Sequence, residues 1–449
     1  MSDEKQNEQR HAAYAVQRFV RATYRVAVEA LLVNGEARGR VLSVLSEPAF
    51  EEMAEVYGTA HEQPGRLDEV SFVGGIPGEV VDVEVSWRLP VPGRKRSRRI
   101  PPPEVRVKDV IESSYLRVTP HCVVFGACGG CQFQHLSYAA QLVWKAERVR
   151  DVLHAAGFTN LPIETAIGCE PPWEYRNHMR FSINREGRAG LTARNSHRVL
   201  PLRSCPIASP HINAVLTLVA DVPLPRPQMV VRCSDLTGHT LVQPAPTPEL
   251  QSRLQAHEIT VRETEMEERL LDTPFRIRPS SFFQTNTRQA NRMAELVLAG
   301  LPQGEKITLV DAYCGVGTFA RLMADRVGRV IAIEESASAI RDARWNLREV
   351  GNVEIIQGKV EEMLPEMSGR LDGLVIDPPR AGCQRPVLDA LLARHVPSVV
   401  YVSCNPDTLA RDLAYLCLQN VGYVLRSVHL LDMFPQTAHV ESVAILEAL

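Results

Sequence analysis

Cys404 lies in Ser403-Cys404-Asn405-Pro406, directly after the apolar run SVVYV. A cysteine in such a chain is ordinarily a small packing hydrophobe. A polar strand end punctuated by proline is a poor packing site, however, and a good one for a reactive thiolate. A thiolate that adds to an electron-poor ring carbon makes the neighbouring carbon nucleophilic. Such an adduct then needs a base to remove a proton before sulfur can leave. The segment DMFPQTAHVE, residues 432–441, supplies candidates. Glu441, beside the last apolar strand, is the first choice; His439 is second, its ordinary role being that of a hydrogen-bonded structural histidine.

Two more motifs carry carboxylates to strand ends. Asp311-Ala-Tyr-Cys-Gly315-Val-Gly317-Thr-Phe319 follows the strand-like ITLV, and Glu334 ends the next such run seventeen residues after Gly317. Glycines there let the backbone approach a ligand, and an acid at the following strand end can bind the two hydroxyls of a ribose. The same spacing fits a nicotinamide or flavin enzyme. Against that, Asp311 would repel a pyrophosphate but suits a cationic cofactor, and Asp377-Pro378-Pro379-Arg380 ends a later strand in a rigid turn that presents a carboxylate.

A third cluster is made of thiols. Cys122, Cys128 and Cys131 fall within ten residues, with Cys205 in RSCPI a plausible fourth. Four thiolates suit a [4Fe–4S] cluster or structural zinc. The x5 and x2 spacing is not the paired Cys-x2-Cys of zinc ribbons, so spacing leans to iron–sulfur.

The elements that must position these groups differ along the chain. Residues 1–45 read as an N-terminal extension. Residues 46–118 read as short strands with turns, where Val81, Val83 and Val85 alternate with Val80, Asp82 and Glu84 as in a strand with one buried face; a small β-barrel is the simplest architecture. Residues 119–274 form a central α+β domain holding the cysteine cluster and a helix at about 136–156. From 275 to 449, strand-like and helical stretches alternate, which implies a doubly wound, mainly parallel sheet with helices on both faces. Ligands bind at the carboxyl edge of such sheets, where Cys404, Asp377 and the glycine turn all fall.

The chain has 449 residues, 45% of them hydrophobic, and a net charge of −3. That is an ordinary globular composition, without an apolar run long enough to cross a membrane or an N-terminal apolar leader. The expected location is the cytoplasm, with no membrane and no evident obligate protein partner. The net charge excludes a generally basic nucleic-acid binder, so any contact with nucleic acid must come from local patches. Residues 92–108 carry seven basic residues against the single acid Glu104.

SFFQTN (281–286), DAYCGVGTF, DPPRAG, SCNP and DMFPQTAHVE, in this order, resemble the RNA uracil-5 methyltransferase family from about residue 50 onward. The resemblance implies an S-adenosylmethionine-dependent class I methyltransferase domain behind an OB-like TRAM barrel and an iron–sulfur central domain. It implies Cys404 as nucleophile on uracil carbon 6 and Glu441 as the base that removes the carbon 5 proton. It sets Gln284, Tyr313, Glu334 and Asp377 at the S-adenosylmethionine site, and a [4Fe–4S] cluster on Cys122, Cys128, Cys131 and Cys205. Tyr313 and Ala312 stand where the family more often carries Phe and Leu. A cysteine-cluster member with a TRAM-like domain points to 23S ribosomal RNA, with transfer RNA as the alternative. Rival readings are a base N-methyltransferase, which has no use for Cys404, a non-catalytic RNA-binding protein of the same fold, and an iron–sulfur flavin or nicotinamide enzyme.

Overall fold

The computed structural model describes residues 19–47, 67–88, 103–159, 163, 166–225, 227–262, 264–279, 281–420 and 422–449. Arg94 to Arg99, the densest part of the basic run, lie outside them. The chain forms two compact units, Met1–Ser137 with Ala193–His197, and Tyr138–Thr192 with Arg198–Leu449.

In the first unit, β1 (Phe19–Leu31), β2 (Ala37–Ser46), β3 (Glu69–Phe72), β4 (Val80–Arg88) and β5 (Glu104–Glu112) form one antiparallel sheet in the order β3-β2-β1-β4-β5. A parallel bridge between Val73 and Arg106 brings its two edges together, curling the sheet into a partly open five-stranded barrel of OB type. Residues 19–46, set apart above as an extension, supply its first two strands. The reason is a period of two. Val20, Ala22, Tyr24, Val26 and Val28 are buried against Val81, Val83 and Val85, and the residues between them face outward. Asp82 is buried on the opposite face because Arg25 holds it with two hydrogen bonds, of 2.8 and 3.1 Å.

The second unit opens with α1 (Tyr138–Ala155). A six-stranded sheet follows, made of β6 (His178–Ile183), β7 (Ala189–Thr192), β8 (Val199–Pro201), β9 (Gln228–Cys233), β10 (Thr240–Gln243) and β11 (Val261–Arg262), with α2 (Pro210–Val219) and α3 (Pro248–Ala256) between strands. The hairpin β12 (Met266–Leu270) and β13 (Thr273–Ile277) leads to α4 (Thr287–Ala299).

The remaining elements alternate as expected: β14 (Gly304–Ala312), α5 (Thr318–Ala324), β15 (Val327–Glu334), α6 (Ala337–Asn346), β16 (Val353–Gln357), α7 (Val360–Glu366), β17 (Gly373–Ile376), α8 (Arg385–Arg394), β18 (Ser398–Ser403), α9 (Pro406–Ala414), β19 (Tyr423–Leu431) and β20 (Glu441–Ala448). The sheet order is β16-β15-β14-β17-β18-β20-β19. The first five strands of that order run parallel, and β20 is antiparallel to both neighbours. One face packs on α4, α5 and α6 through Met293, Phe319 and Ala343; the other packs on α7, α8 and α9 through Leu364, Val387 and Leu409. Ala146, Val149 and Leu153 of α1 join this second core, so a helix that precedes the sheet by about a third of the chain is part of its packing. No helix among the described residues is long and apolar enough to cross a membrane.

Candidate functional site

The strand order reverses between β14 and β17, and the crevice at their carboxyl ends is where an open α/β sheet binds its ligand. The chain leaves β14 through Tyr313, Gly315 and Gly317, all with positive φ (65°, 57° and 82°). A side chain at Gly317 would be strained in that conformation and would press on Leu347 at 3.0 Å. Tyr313 adopts the left-handed region without being glycine, a cost that marks a turn fixed by its surroundings.

Glu334 stabilises this turn from the end of β15. Its carboxylate accepts the Gly315 N–H at 3.0 Å and the Ser336 N–H at 2.7 Å, which orients it at the rim. Asp311 is different. It is fully buried and its Oδ2 accepts the Ala320 N–H at 2.7 Å, satisfying the start of α5. Its other oxygen, Oδ1, is buried without a hydrogen-bond partner. Burial, with Asp377 and Glu334 nearby, pushes Asp311 up to about 7 against the pull of the Ala320 N–H. Asp377, half-buried after β17, is likewise pushed up to about 7 by burial. An edge with three carboxylates suits a cationic ligand.

Gln284 belongs to a connector secured at both ends. The Ser281 hydroxyl donates to Asp342 at 2.5 Å, and Asn286 caps α4 while its Nδ2 donates to the Met433 carbonyl at 3.1 Å. Gln284 itself is half-buried, and its carbonyl accepts from Asn177 at 3.2 Å.

Asn405 ties two of the motifs together. Its Nδ2 donates to the Arg380 carbonyl at 2.9 Å, and its Oδ1 accepts the Asp407 N–H at 3.2 Å to cap α9. Asp412 braces the same turn from behind, accepting the Cys383 N–H at 2.8 Å and the Tyr401 hydroxyl at 2.7 Å.

Cys404 follows β18 and is half-exposed. The last ladder pair of β18 and β20 is Ser403 with Ser442. Cys404 directly follows Ser403, and Glu441 directly precedes Ser442, so the antiparallel register carries both to the same edge. Electrostatics agree: burial first, then Glu441, push the Cys404 thiol up to about 11, with Asp377 adding to them and Arg380 opposing. Glu441 is buried, and burial with Asp377 raises its carboxyl well above the usual range. His439 is exposed, and desolvation together with Arg380, Lys145, Arg148 and Arg176 lowers it to about 4.

The loop 432–441 is held by residues that sequence reasoning did not single out. Lys145 Nζ reaches Asp432 at 2.5 Å and the Phe434 carbonyl at 3.1 Å. Gln141 exchanges two hydrogen bonds of 3.1 Å with Gln436. Only the amphipathic run of α1 hinted at them.

The cysteine loop lies in the first unit, except for Cys205. The Cys122 N–H donates to Gln134 at 3.0 Å, and Cys128 Sγ accepts the Gly130 N–H at 3.4 Å. Burial raises the Cys128 thiol, helped by the nearby Cys122. Cys205 is fixed by Asn213, which accepts its N–H at 2.8 Å and donates to its carbonyl at 3.1 Å. None of the ten cysteines is in a disulfide. Among the described residues no three His, Cys, Asp or Glu side chains gather as a metal-holding group. Thiols lose their protons and draw together only as the metal binds.

Comparison with known proteins agrees with this architecture. The profile of the tRNA (uracil-5-)-methyltransferase family matches residues 249–449. A protein of Thermosynechococcus vestitus named as an uncharacterized RNA methyltransferase is 33% identical over 85% of this chain and 97% of its own. One of Listeria monocytogenes with the same description is 34% identical over 84% of this chain and 92% of its own. Among solved structures, the tRNA (uracil-54, C5)-methyltransferase of Pyrococcus abyssi in complex with S-adenosyl-L-homocysteine shares the fold, with a TM-score of 0.66 at 24% identity over 94% of this chain and 99% of that one. A chain matched over nearly the whole length of such relatives, with a class I methyltransferase sheet carrying its motifs, belongs to the tRNA (uracil-5-)-methyltransferase family and is an RNA methyltransferase.

Proposed function

We propose that Cys404 and Glu441 carry out the two ends of uracil carbon 5 methylation in RNA. The observation that carries this is their position one step beyond the Ser403–Ser442 pair. The Cys404 sulfur adds to carbon 6, which makes carbon 5 an enolate carbon able to attack a methyl group. S-adenosylmethionine, when bound, supplies that methyl as a sulfonium electrophile. Glu334, Asp377, Tyr313 and Gln284 would hold it, and the carboxylate-rich edge with the orphaned Asp311 Oδ1 fits its positive charge. Glu441 then takes the carbon 5 proton, carbon 5 and carbon 6 regain their double bond, and the C–S bond breaks. Burial beside Asp377 makes Glu441 the stronger base for this task.

A uracil inside a stem cannot present carbon 6 to sulfur, so the target is a loop or a flipped-out base. Phe282, 70% exposed beside Gln284, offers an aromatic face for an unstacked base. Large-subunit ribosomal RNA in the cytoplasm is the favoured substrate on the resemblance, with transfer RNA the alternative. The resemblance also favours a [4Fe–4S] cluster on Cys122, Cys128, Cys131 and Cys205 under a TRAM-type barrel; iron and acid-labile sulfide in anaerobically purified protein, lost in Cys128→Ser, is the expected result, and iron-free wild type would remove it.

The test is mass spectrometry of wild type and Cys404→Ala after incubation with S-adenosylmethionine and RNA containing 5-fluorouridine, whose fluorine cannot leave as a proton. An adduct mapped to Cys404 in wild type only is expected, and its RNA partner names the substrate. Methylation that survives Cys404→Ala would point instead to a base N-methyltransferase.

A further inference from the structure

Asp432 and Lys145 are both fully buried, 287 residues apart in sequence, and their charged atoms lie 2.5 Å apart. Lys145 Nζ has a second acceptor, the Phe434 carbonyl at 3.1 Å. One turn away on the same helix, Gln141 donates to the Gln436 side chain and accepts the Gln436 N–H. Gln436 sits at φ 70°, a conformation that a glutamine holds only when its surroundings impose it. The Tyr175 hydroxyl donates to the Pro435 carbonyl at 3.0 Å, and the Asp432 N–H donates to the Ile167 carbonyl at 2.9 Å. Every one of these contacts comes from outside the seven-stranded sheet, and all fall on the first half of the loop that ends at Glu441.

An apolar contact would bury this loop as well, yet would let it slide. An ammonium held between a carboxylate and a carbonyl, beside a two-way amide pair, fixes register and direction. We propose that Lys145, seconded by Gln141, is a positioning residue for proton abstraction: α1 clamps residues 432–436 and thereby sets where the Glu441 carboxylate meets carbon 5. This rests on the reading of Glu441 as base.

The consequence is confined to one step. After methyl transfer, carbon 5 bears the new methyl group and one hydrogen. That proton passes to Glu441, its electron pair forms the carbon 5–carbon 6 double bond, and the pair of the C–S bond returns to Cys404. A displaced carboxylate slows this release and leaves addition and methyl transfer standing. Ordinary uridine RNA should then remain trapped on the enzyme as a methylated adduct.

The experiment uses the full-length protein as wild type, Glu441→Gln, Lys145→Met and Gln141→Leu, each with S-adenosylmethionine and unmodified transcripts of large-subunit ribosomal RNA and of transfer RNA. Denaturing gels and intact mass read the adduct, and steady-state kinetics read kcat and KM. Lys145→Met and Gln141→Leu are expected to accumulate the methylated adduct as Glu441→Gln does. For Lys145→Met, kcat should fall about a hundredfold, the scale of a small misplacement of a reacting group, with KM for RNA little changed. If Lys145→Met fails to fold, Lys145→Met/Asp432→Leu, which leaves no buried charge alone, takes its place. Adduct in Glu441→Gln but in neither α1 variant overturns the inference alone. Activity lost before adduct formation in the α1 variants also overturns it. No adduct in Glu441→Gln overturns the reading of Glu441 on which it rests.

Discussion

Cys404 directly follows Ser403 and Glu441 directly precedes Ser442, the last pair of the antiparallel ladder between β18 and β20. Opposed residues of an antiparallel pair project to the same side of the sheet. After burial, Glu441 is the largest influence strengthening the Cys404 thiol's hold on its proton, whereas the Glu441 carboxyl is itself raised by burial and Asp377.

The rise of the Cys404 thiol gives a pH dependence. With the Cys404 thiol pushed up to about 11, the thiolate is scarce at neutral pH, and its fraction grows about tenfold for each unit of pH below that value. The rate of adduct formation with 5-fluorouridine RNA is expected to climb steadily from about pH 7 to about pH 9. Rapid-quench measurement across that range checks it; a flat profile would mean that sulfur is already ionised.

Asp311 gives a dependence in stability. Its folded value of about 7 lies above its ordinary 3.8, so the native chain binds the proton more tightly than the unfolded chain does. The stability it contributes is complete below the unfolded value and is lost as pH rises through about 7. Asp311→Asn keeps an acceptor for Ala320 and removes the titration. Its stability relative to wild type should improve with rising pH, by of order 4 kcal/mol above neutrality, as read by denaturant melts at several pH values.

The pair Lys145–Asp432 should behave as a buried ion pair. Each of Lys145→Met and Asp432→Leu leaves one charge unpartnered and is expected to cost about 3–5 kcal/mol. The double variant should recover most of that loss. A denaturation double-mutant cycle measures the coupling; additive losses would show that the two side chains do not depend on each other.

Gly382→Ala tests the brace behind the Asp-Pro-Pro-Arg turn. Gly382 has φ 76°, and a Cβ there would lie 2.7 Å from the Asp412 carboxylate. A loss of about 2–4 kcal/mol is expected from strain and contact together. Activity should fall more than stability at low temperature, because Asp412 also holds Cys383 and Tyr401. Wild-type turnover in this variant would remove Asp412 from the support of the site.

The place of the candidate site residues was legible because they sit at strand ends. Alternation of strand and helix located the sheet edge, and short motifs located Cys404, Glu334 and Asp377 on it. Asp311 was read as facing the ligand, whereas one of its oxygens starts α5; an acid before a glycine turn is compatible with either, and only the fold distinguishes them. Strands β1 and β2 escaped notice although β1 keeps its alternation, because a small residue such as Ala22 on the buried face makes that period weak in the sequence. Lys145 and Asp432 could not be paired from sequence, since nothing local announces a contact that spans 287 residues. The cysteine spacing read as a metal site, and the structure shows the backbone of its loops held by Gln134 at Cys122 and by Asn213 at Cys205.

Strand β20 is the last of the seven to be synthesised, yet it lies between β18 and β19. A growing chain therefore carries Cys404 on a strand with one neighbour, β17, and β19 has no strand of this sheet to pair with until β20 has been made. Domains generally fold as units while they leave the ribosome, and in this sheet the seventh strand made fills a gap between the fifth and the sixth. Cys404 and Glu441 therefore reach one edge only through the last insertion into the sheet, so the candidate site is assembled after the rest of its scaffold.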